Sequence, residues 1–279
     1  MLDKFNREIN YLRISLTEKC NLRCIYCMPE EGIPLKQHKE ILRYEQIEQI
    51  VKEAAKLGIN KVRLTGGEPL IKKDIEILIK KLAAIKEIKE LSLTTNGILL
   101  AQNAKKIRQA GLTGLNISLD TLQPEKFKSI TRGGNLADVL QGIDQAINEG
   151  FKIKINMVVL KDINEDEIND VRKFCLHKGI KLQLINHFNL QSNKNDDYFF
   201  DRPPKCKNCN RIRLLSDGVL KPCLHSDAEY IVFQIFFIGC IGFVFRYFII
   251  QRKPDVIVQV ILPCQGNCMV VNIFSGLVA

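Results

Sequence analysis

The chain has 279 residues, 46% hydrophobic and 26% charged, which suits a globular protein of one large or two small domains and excludes one too polar to bury a core. Its 41 Lys and Arg against 31 Asp and Glu leave a net charge of +10, which favours anionic partners such as nucleotides, nucleic acid or a membrane surface. Ten cysteines without an apolar leader over Met1–Asn10 predict a cytoplasmic protein that uses its thiols for metal ligation rather than for disulfides.

Short β-rich runs alternate with helical patterns along the chain. The predicted strands are Tyr11–Thr17, Lys61–Thr65, Glu90–Thr95, Leu115–Leu119, Lys152–Val159 and Lys181–Phe188. The helical patterns between them are Tyr44–Leu57, Lys73–Ile85, Leu99–Ala110, Leu136–Asn148 and Glu165–His177. Ile47, Ile50, Val51 and Ala54 form the apolar stripe of the first helix. Gly58, Gly111, Gly150 and Gly179 follow helices as C-caps. This alternation predicts an α/β fold with a parallel sheet, either open or part of a barrel.

In such sheets ligands gather at the C-terminal ends of strands. Polar residues recur there: Glu18 to Cys20, Gly66-Gly67-Glu68-Pro69, Thr94-Thr95-Asn96, Ser118 with Asp120, and Asn186, His187 and Asn189. Turn chemistry and helix capping account for any one of these, but not readily for the whole ring. The four histidines are scattered, with no pair at a ligand spacing.

Beyond Tyr230 the composition changes. Seven of the fourteen phenylalanines lie there, Asp255 is the only acidic residue, and Ile231–Phe245 carries no charge. Residues 231–250 approach the roughly 20 apolar residues of a membrane span. They also fit a buried helix or strand pair, or a change of reading frame near Glu229. So abrupt a shift favours the last of these, and membrane association is not favoured. Cys264 and Cys268 read as incidental, Cys175 and Cys240 as buried apolar thiols.

The chemistry concentrates in two cysteine triads. Cys20, Cys24 and Cys27 can ligate three irons of a four-iron cluster and leave the fourth open. Structural zinc is the competing reading, but no fourth ligand is obvious nearby. Cys206, Cys209 and Cys223 taken alone suggest zinc, and a zinc protein binding nucleic acid is the alternative from another functional class.

The spacing of the first triad, with Tyr26 before its last cysteine, resembles the radical S-adenosylmethionine superfamily, and Gly66-Gly67-Glu68-Pro69 resembles its methionine-binding motif. The glycines would let backbone approach the ligand, and a carboxylate would answer the methionine ammonium. Asn210-Arg211-Ile212-Arg213 and Asp217-Gly218 inside the second triad resemble the GTP 3',8-cyclase family of molybdenum cofactor biosynthesis. So do Leu12–Thr17, Lys61–Thr65, Leu93–Gly97 and Asn116–Asp120, and the resemblance runs from about residue 7 to 228.

The β/α alternation and the resemblance imply an incomplete (β/α)6 TIM-like barrel over residues 1–190 and a small C-terminal iron–sulfur region over 191–229, while the composition break sets apart a hydrophobic tail over 230–279 that departs from the family. The resemblance implies two 4Fe-4S clusters, one held by Cys20, Cys24 and Cys27 and one by Cys206, Cys209 and Cys223. Tyr26, Gly66, Gly67, Glu68 and Ser118 would form the S-adenosylmethionine site. Arg13, Arg63, Thr94, Lys154, Arg211 and Arg213 would contact GTP, since guanidinium forks match phosphate oxygens. The implied reaction converts GTP to a 3',8-cyclo product, with an electron donor such as flavodoxin or ferredoxin. A homodimer is left open, nucleic acid is not expected as a partner, and no catalytic residue is assigned.

The sequence departs from the family in the short link Asn189–Pro204, in Gln183 and Phe188 where the family has arginine and methionine, and in an end without Gly-Gly. Those departures keep two alternatives open: a two-cluster radical enzyme acting on a peptide or another nucleotide, and an inactive truncated relative.

Overall fold

The computed structural model describes residues 3, 6–187, 208–223, 229–238, 243–251, 258–264 and 267–273. Phe188, Asn189, Pro204, Cys206, Cys240 and Asp255, all named above, lie outside the described residues.

A parallel sheet forms the frame. Its strands are β1 (Tyr11–Ser15), β2 (Lys61–Thr65), β3 (Glu90–Thr95), β4 (Gly114–Ser118), β5 (Lys152–Val159) and β6 (Lys181–Asn186). The helices between them are α1 (Tyr44–Lys56), α2 (Ile75–Ala83), α3 (Leu100–Gln109), α4 (Pro124–Thr131), α5 (Leu136–Asn148) and α6 (Ile168–His177). Two strands after β6, β7 (Arg211–Leu214) and β8 (Val219–Lys221), form a hairpin whose first strand pairs in parallel with β1. The sheet is open, in the order β8-β7-β1-β2-β3-β4-β5-β6. The incomplete barrel read from the sequence is therefore present as an unclosed sheet.

Each helix forms where apolar residues recur at helical spacing. In α1 the buried face is Ile47, Ile50, Val51 and Ala55. Ala54, seven positions after Ile47 and so on the same side of the helix, is partly buried and packs against the same core. Gly58, Gly111, Gly150 and Gly179 take φ values from +66 to +103° directly after their helices. That left-handed conformation is cheap only for glycine. The first strand ends at Ser15 rather than Thr17, because Thr17 turns its carbonyl toward Gly67. A short 3-10 turn, Glu165–Glu167, precedes α6 where one continuous helix was predicted.

Alternation along the strands separates two environments. Leu12, Ile14, Val62, Leu64, Leu93, Ile117, Ile155 and Met157 face the helices and are at most 2% exposed except where the strand ends. The opposite face is polar. Arg213, Arg13, Arg63 and Ser92 are register neighbours across β7, β1, β2 and β3. Thr94, Asn116, Lys154 and Lys181 continue across β3 to β6. A sheet with hydrocarbon on one side and arginine, lysine, asparagine and threonine on the other can hold a polar ligand on its polar face.

The tail continues as strands. β9 (Tyr230–Ile238) pairs antiparallel with β8, β10 (Phe243–Gln251) pairs with β9, and β11 (Val258–Cys264) with β12 (Asn267–Ile273) forms a separate pair. Among the described residues, no helix is long and apolar enough to cross a membrane.

Candidate active site

Four segments hold the loop that carries Cys20, Cys24 and Cys27. On one side is Gly66-Gly67 at the end of β2. The Gly67 N–H donates to the Thr17 carbonyl at 2.7 Å, and the Glu68 N–H to the Lys19 carbonyl at 2.8 Å. Gly66 sits at φ +143°, and a Cβ there would lie 2.5 Å from the Thr17 oxygen. A Cβ on Gly67 would strike the Lys19 carbonyl, with its carbon at 2.6 Å and the Glu18 oxygen at 2.8 Å. These glycines therefore let the cysteine loop's own backbone close against the strand end.

Glu68 links the second segment. It is fully buried, and its carboxylate accepts from the Leu70 N–H at 3.0 Å, the Thr95 hydroxyl at 2.8 Å and the Asn96 N–H at 2.7 Å. Burial raises its carboxyl above the ordinary range, against the pull of those donors. Asn96 then donates its amide to Asn21 Oδ1 at 2.7 Å and to Cys20 Sγ at 3.8 Å. A relay thus runs from β2 through β3 to the first cysteine.

The third segment is α4, which the sequence analysis did not predict. Its last residues form an edge for the loop: the N–H groups of Arg23 and Ile25 donate to the carbonyls of Thr131 and Ile130. Arg132, in a left-handed cap, donates from Nη1 to the carbonyls of Arg23 at 3.0 Å and Met28 at 2.9 Å. Pro124 at the first turn is a usable start signal. The helix spans only eight residues, too few for a clear periodicity.

The fourth segment is Asp120 beyond β4. Oδ2 accepts from the Tyr26 hydroxyl at 2.7 Å and Oδ1 from the Val158 N–H at 2.8 Å. Burial pushes this carboxyl up to about 6, opposed by both hydrogen bonds. Asn164 donates to the Asp120 and Val158 carbonyls at 2.7 and 2.9 Å. The Tyr26 ring also meets His187 edge-on, with centroids 6.2 Å apart. Tyr26→Phe is expected to cost about 1–3 kcal/mol, because it strips a buried carboxylate of its hydroxyl donor. The denaturant midpoint of the iron-loaded protein measures it, and an unchanged midpoint would show that the bond does not brace the loop.

All six cysteines described with their side chains, Cys20, Cys24, Cys27, Cys175, Cys209 and Cys223, are free thiols. Burial pushes Cys24 up to about 12, with repulsion from Asp120, Cys27 and Cys20 adding to it, and Cys27 is raised by burial and Cys20. Cys24 and Cys27, held up by burial and by their thiol neighbours, are suited to a cationic centre, whose charge would favour their thiolates. Among the described residues, no three His, Cys, Asp or Glu converge on a single ion.

The second cysteine group lies at the other end of the sheet. β1 runs from Tyr11 toward the first triad, and β7 is parallel to it. Cys209 precedes β7, and Cys223 follows the returning strand β8, so both lie at the end where β1 begins. At Cys209, burial raises the thiol, but hydrogen bonds and charge from Arg211 outweigh it and lower the value overall. Cys206 completes this triad in sequence but lies outside the described residues.

Between the two ends stands the arginine row. Arg13 is lowered to about 10, first by burial and then by Arg63, Arg213 and Arg211, with only Tyr11 acting the other way. Arg63 donates to Ser92 Oγ at 3.1 Å. Thr94 Oγ1 and Arg211 Nε are buried without a hydrogen-bond partner among the described residues. Lys154 stands on the same face as Thr94 through Asn116, and Ser118 is the register neighbour of Asn156. The sequence-predicted residues thus fall into two groups: Tyr26, Gly66, Gly67 and Glu68 with the first triad, and Arg13, Arg63, Arg211 and Arg213 in the row between the two ends, with Arg211 and Arg213 nearest Cys209. Sequence reasoning missed Asn96 and Asp120 as loop anchors, although both were noted as polar residues at strand ends.

Residues 14–175 match the Radical SAM superfamily. A GTP 3',8-cyclase of Clostridium botulinum is 43% identical over 272 residues, spanning 82% of this chain and 85% of that protein. One from Peptoclostridium acidaminophilum is 39% identical over 274 residues, spanning 82% and 84%. Those aligned lengths exceed 82% of 279 residues, so the relatives carry residues within the matched span that this chain lacks. Among solved structures, Streptococcus suis SuiB bound to S-adenosylmethionine superposes with a TM-score of 0.62 at 19% identity, over 80% of this chain and 62% of SuiB. The enzyme anSMEcpe with bound AdoMet gives 0.56 at 21% identity, over 76% and 71%. At such identity these two structures speak for the fold alone.

Proposed function

From the premise that this chain belongs to the radical SAM superfamily and, within it, to the GTP 3',8-cyclase family, we propose that it converts GTP to the 3',8-cyclo intermediate that opens molybdenum cofactor biosynthesis. The observation that carries this reading is the row Arg213–Arg13–Arg63 in strand register, with one cysteine triad at one end and Cys209 and Cys223 at the other.

The residues fit the groups the family uses. Cys20, Cys24 and Cys27 would hold one 4Fe-4S cluster, and Cys209 and Cys223, with Cys206, the second. S-adenosylmethionine would lie along Gly66, Gly67, Glu68, Tyr26 and Ser118. When bound, the first cluster and S-adenosylmethionine would supply the radical chemistry that acts on the ribose.

The chain's own residues position the substrate. Arg13, Arg63, Arg211 and Arg213 supply guanidinium donors for the triphosphate, and burial of Arg13 strengthens each charge–charge contact. Thr94 and Lys154 would complete the wall on the β3 to β5 side. The apolar layer beneath excludes water from one side of the chamber. An outside one-electron donor such as flavodoxin or ferredoxin would dock on the surface beside Cys20, where Ile33, Leu35 and Ile71 are exposed.

Anaerobic turnover of the iron-loaded protein with GTP, S-adenosylmethionine and dithionite tests the proposal. The expected result is 5'-deoxyadenosine together with a 3',8-cyclised GTP product. Cleavage of S-adenosylmethionine with GTP returned unchanged would overturn the substrate assignment.

A further inference from the structure

Tyr11 opens β1 at the end of the sheet nearest Cys209. It is 9% exposed, and its hydroxyl is buried without a hydrogen-bond partner among the described residues. A buried phenol ordinarily finds a partner, so an orphaned one calls for an explanation. Its surroundings narrow the choice.

By alternation Tyr11 shares the polar face with Arg13. The Arg63 guanidinium lies over its ring, 5.4 Å from the centroid. Arg13 and Arg213 are both close enough to feel its charge state. Its register neighbours are Lys61 and Arg211. Arginine and lysine side chains only donate hydrogen bonds, so none of them can accept the phenolic proton. Arg211 Nε, on the neighbouring strand in register, is a second buried donor without a partner among the described residues. Orphaned donors on adjacent strands, among like charges, lack one thing: an anion rich in acceptor oxygens.

We propose that Tyr11 is a nucleotide-positioning residue, whose hydroxyl donates to a phosphate oxygen of the bound triphosphate while its ring carries Arg63. The proposal rests on the GTP reading above and adds a residue to it. Tyrosine supplies what another arginine could not. Its ring gives a guanidinium an aromatic face to rest on, and its neutral donor adds no further repulsion to the row.

The test is equilibrium dialysis of GTP against the anaerobic, iron-loaded protein, with inorganic triphosphate as competitor. Tyr11→Phe is expected to weaken GTP binding by about three- to thirtyfold, and to weaken triphosphate competition by the same factor. Its melting temperature should be unchanged or higher, since an unsatisfied buried group is lost. Tyr11→Leu should weaken both further, because Arg63 loses its aromatic support. GTP binding that is unaltered in Tyr11→Phe overturns the proposal, as does weakened GTP binding with unaltered triphosphate competition, which would place the bond on the base or ribose. A wild-type protein that binds no GTP overturns the cyclase reading itself and this proposal with it.

Discussion

Cys24→Ser is expected to reduce S-adenosylmethionine cleavage by at least about a thousandfold, and to lower bound iron from about eight to about four atoms per chain. Cys24 sits at the centre of its loop, and its carbonyl accepts from the Cys27 and Met28 N–H groups. Losing that thiolate removes one of three attachments and leaves two, too few to retain a cluster with one open iron. Cys209 and Cys223 lie at the far end of the sheet and should keep their iron, so the variant separates the two sites. Iron analysis and 5'-deoxyadenosine quantified by chromatography decide it. Iron unchanged at about eight per chain, with cleavage intact, would remove the first triad from the radical chemistry.

Gly67→Ala is the second large effect. The methyl group would meet the Lys19 carbonyl and the Glu18 oxygen, and both are backbone atoms that cannot swing aside. The hydrogen bonds from Gly67 to Thr17 and from Glu68 to Lys19 would stretch or break, at a cost of about 2–4 kcal/mol. The cysteine loop then loses the strand end that shapes it. The expected result is a lower melting temperature together with loss of the iron held by the first triad. A variant that melts normally and retains its iron would show that the loop does not depend on this contact. The same variant with S-adenosylmethionine binding lost but iron retained would instead support a purely ligand-facing role for the motif.

The order of the strands and helices was legible because each beat carries its own signals: β-branched runs, an apolar stripe, then a glycine. β2, β3, β5 and α5 have the predicted bounds. The two cysteine groups and the arginines were legible as residue types at characteristic spacings. Their arrangement was not. That Arg13, Arg63 and Arg213 stand side by side depends on strand pairing, which joins residues far apart in the chain. The Glu68–Asn96–Cys20 relay likewise spans separations of 28 and 76 residues. The β7–β8 hairpin did announce itself through Asp217-Gly218, a strong turn pair, but the same residues read more readily as part of a cysteine motif. Gly66 and Gly67 were marked as sites where backbone approaches a ligand. The partner the structure gives them is the polypeptide itself.

The arginine row also bears on how the sheet assembles. Parallel strands of similar composition can pair in neighbouring registers, and a slip of one residue exchanges the two faces of a strand. Here that exchange would drive a guanidinium of β1, β2 or β7 into the hydrocarbon layer of Leu12, Ile14, Val62 and Leu64, and turn those side chains toward the chamber. Burying an unpaired charge is among the costliest errors a core can contain. The side chains that draw an anion into the finished protein therefore also reject the misaligned sheets from which no anion site could form.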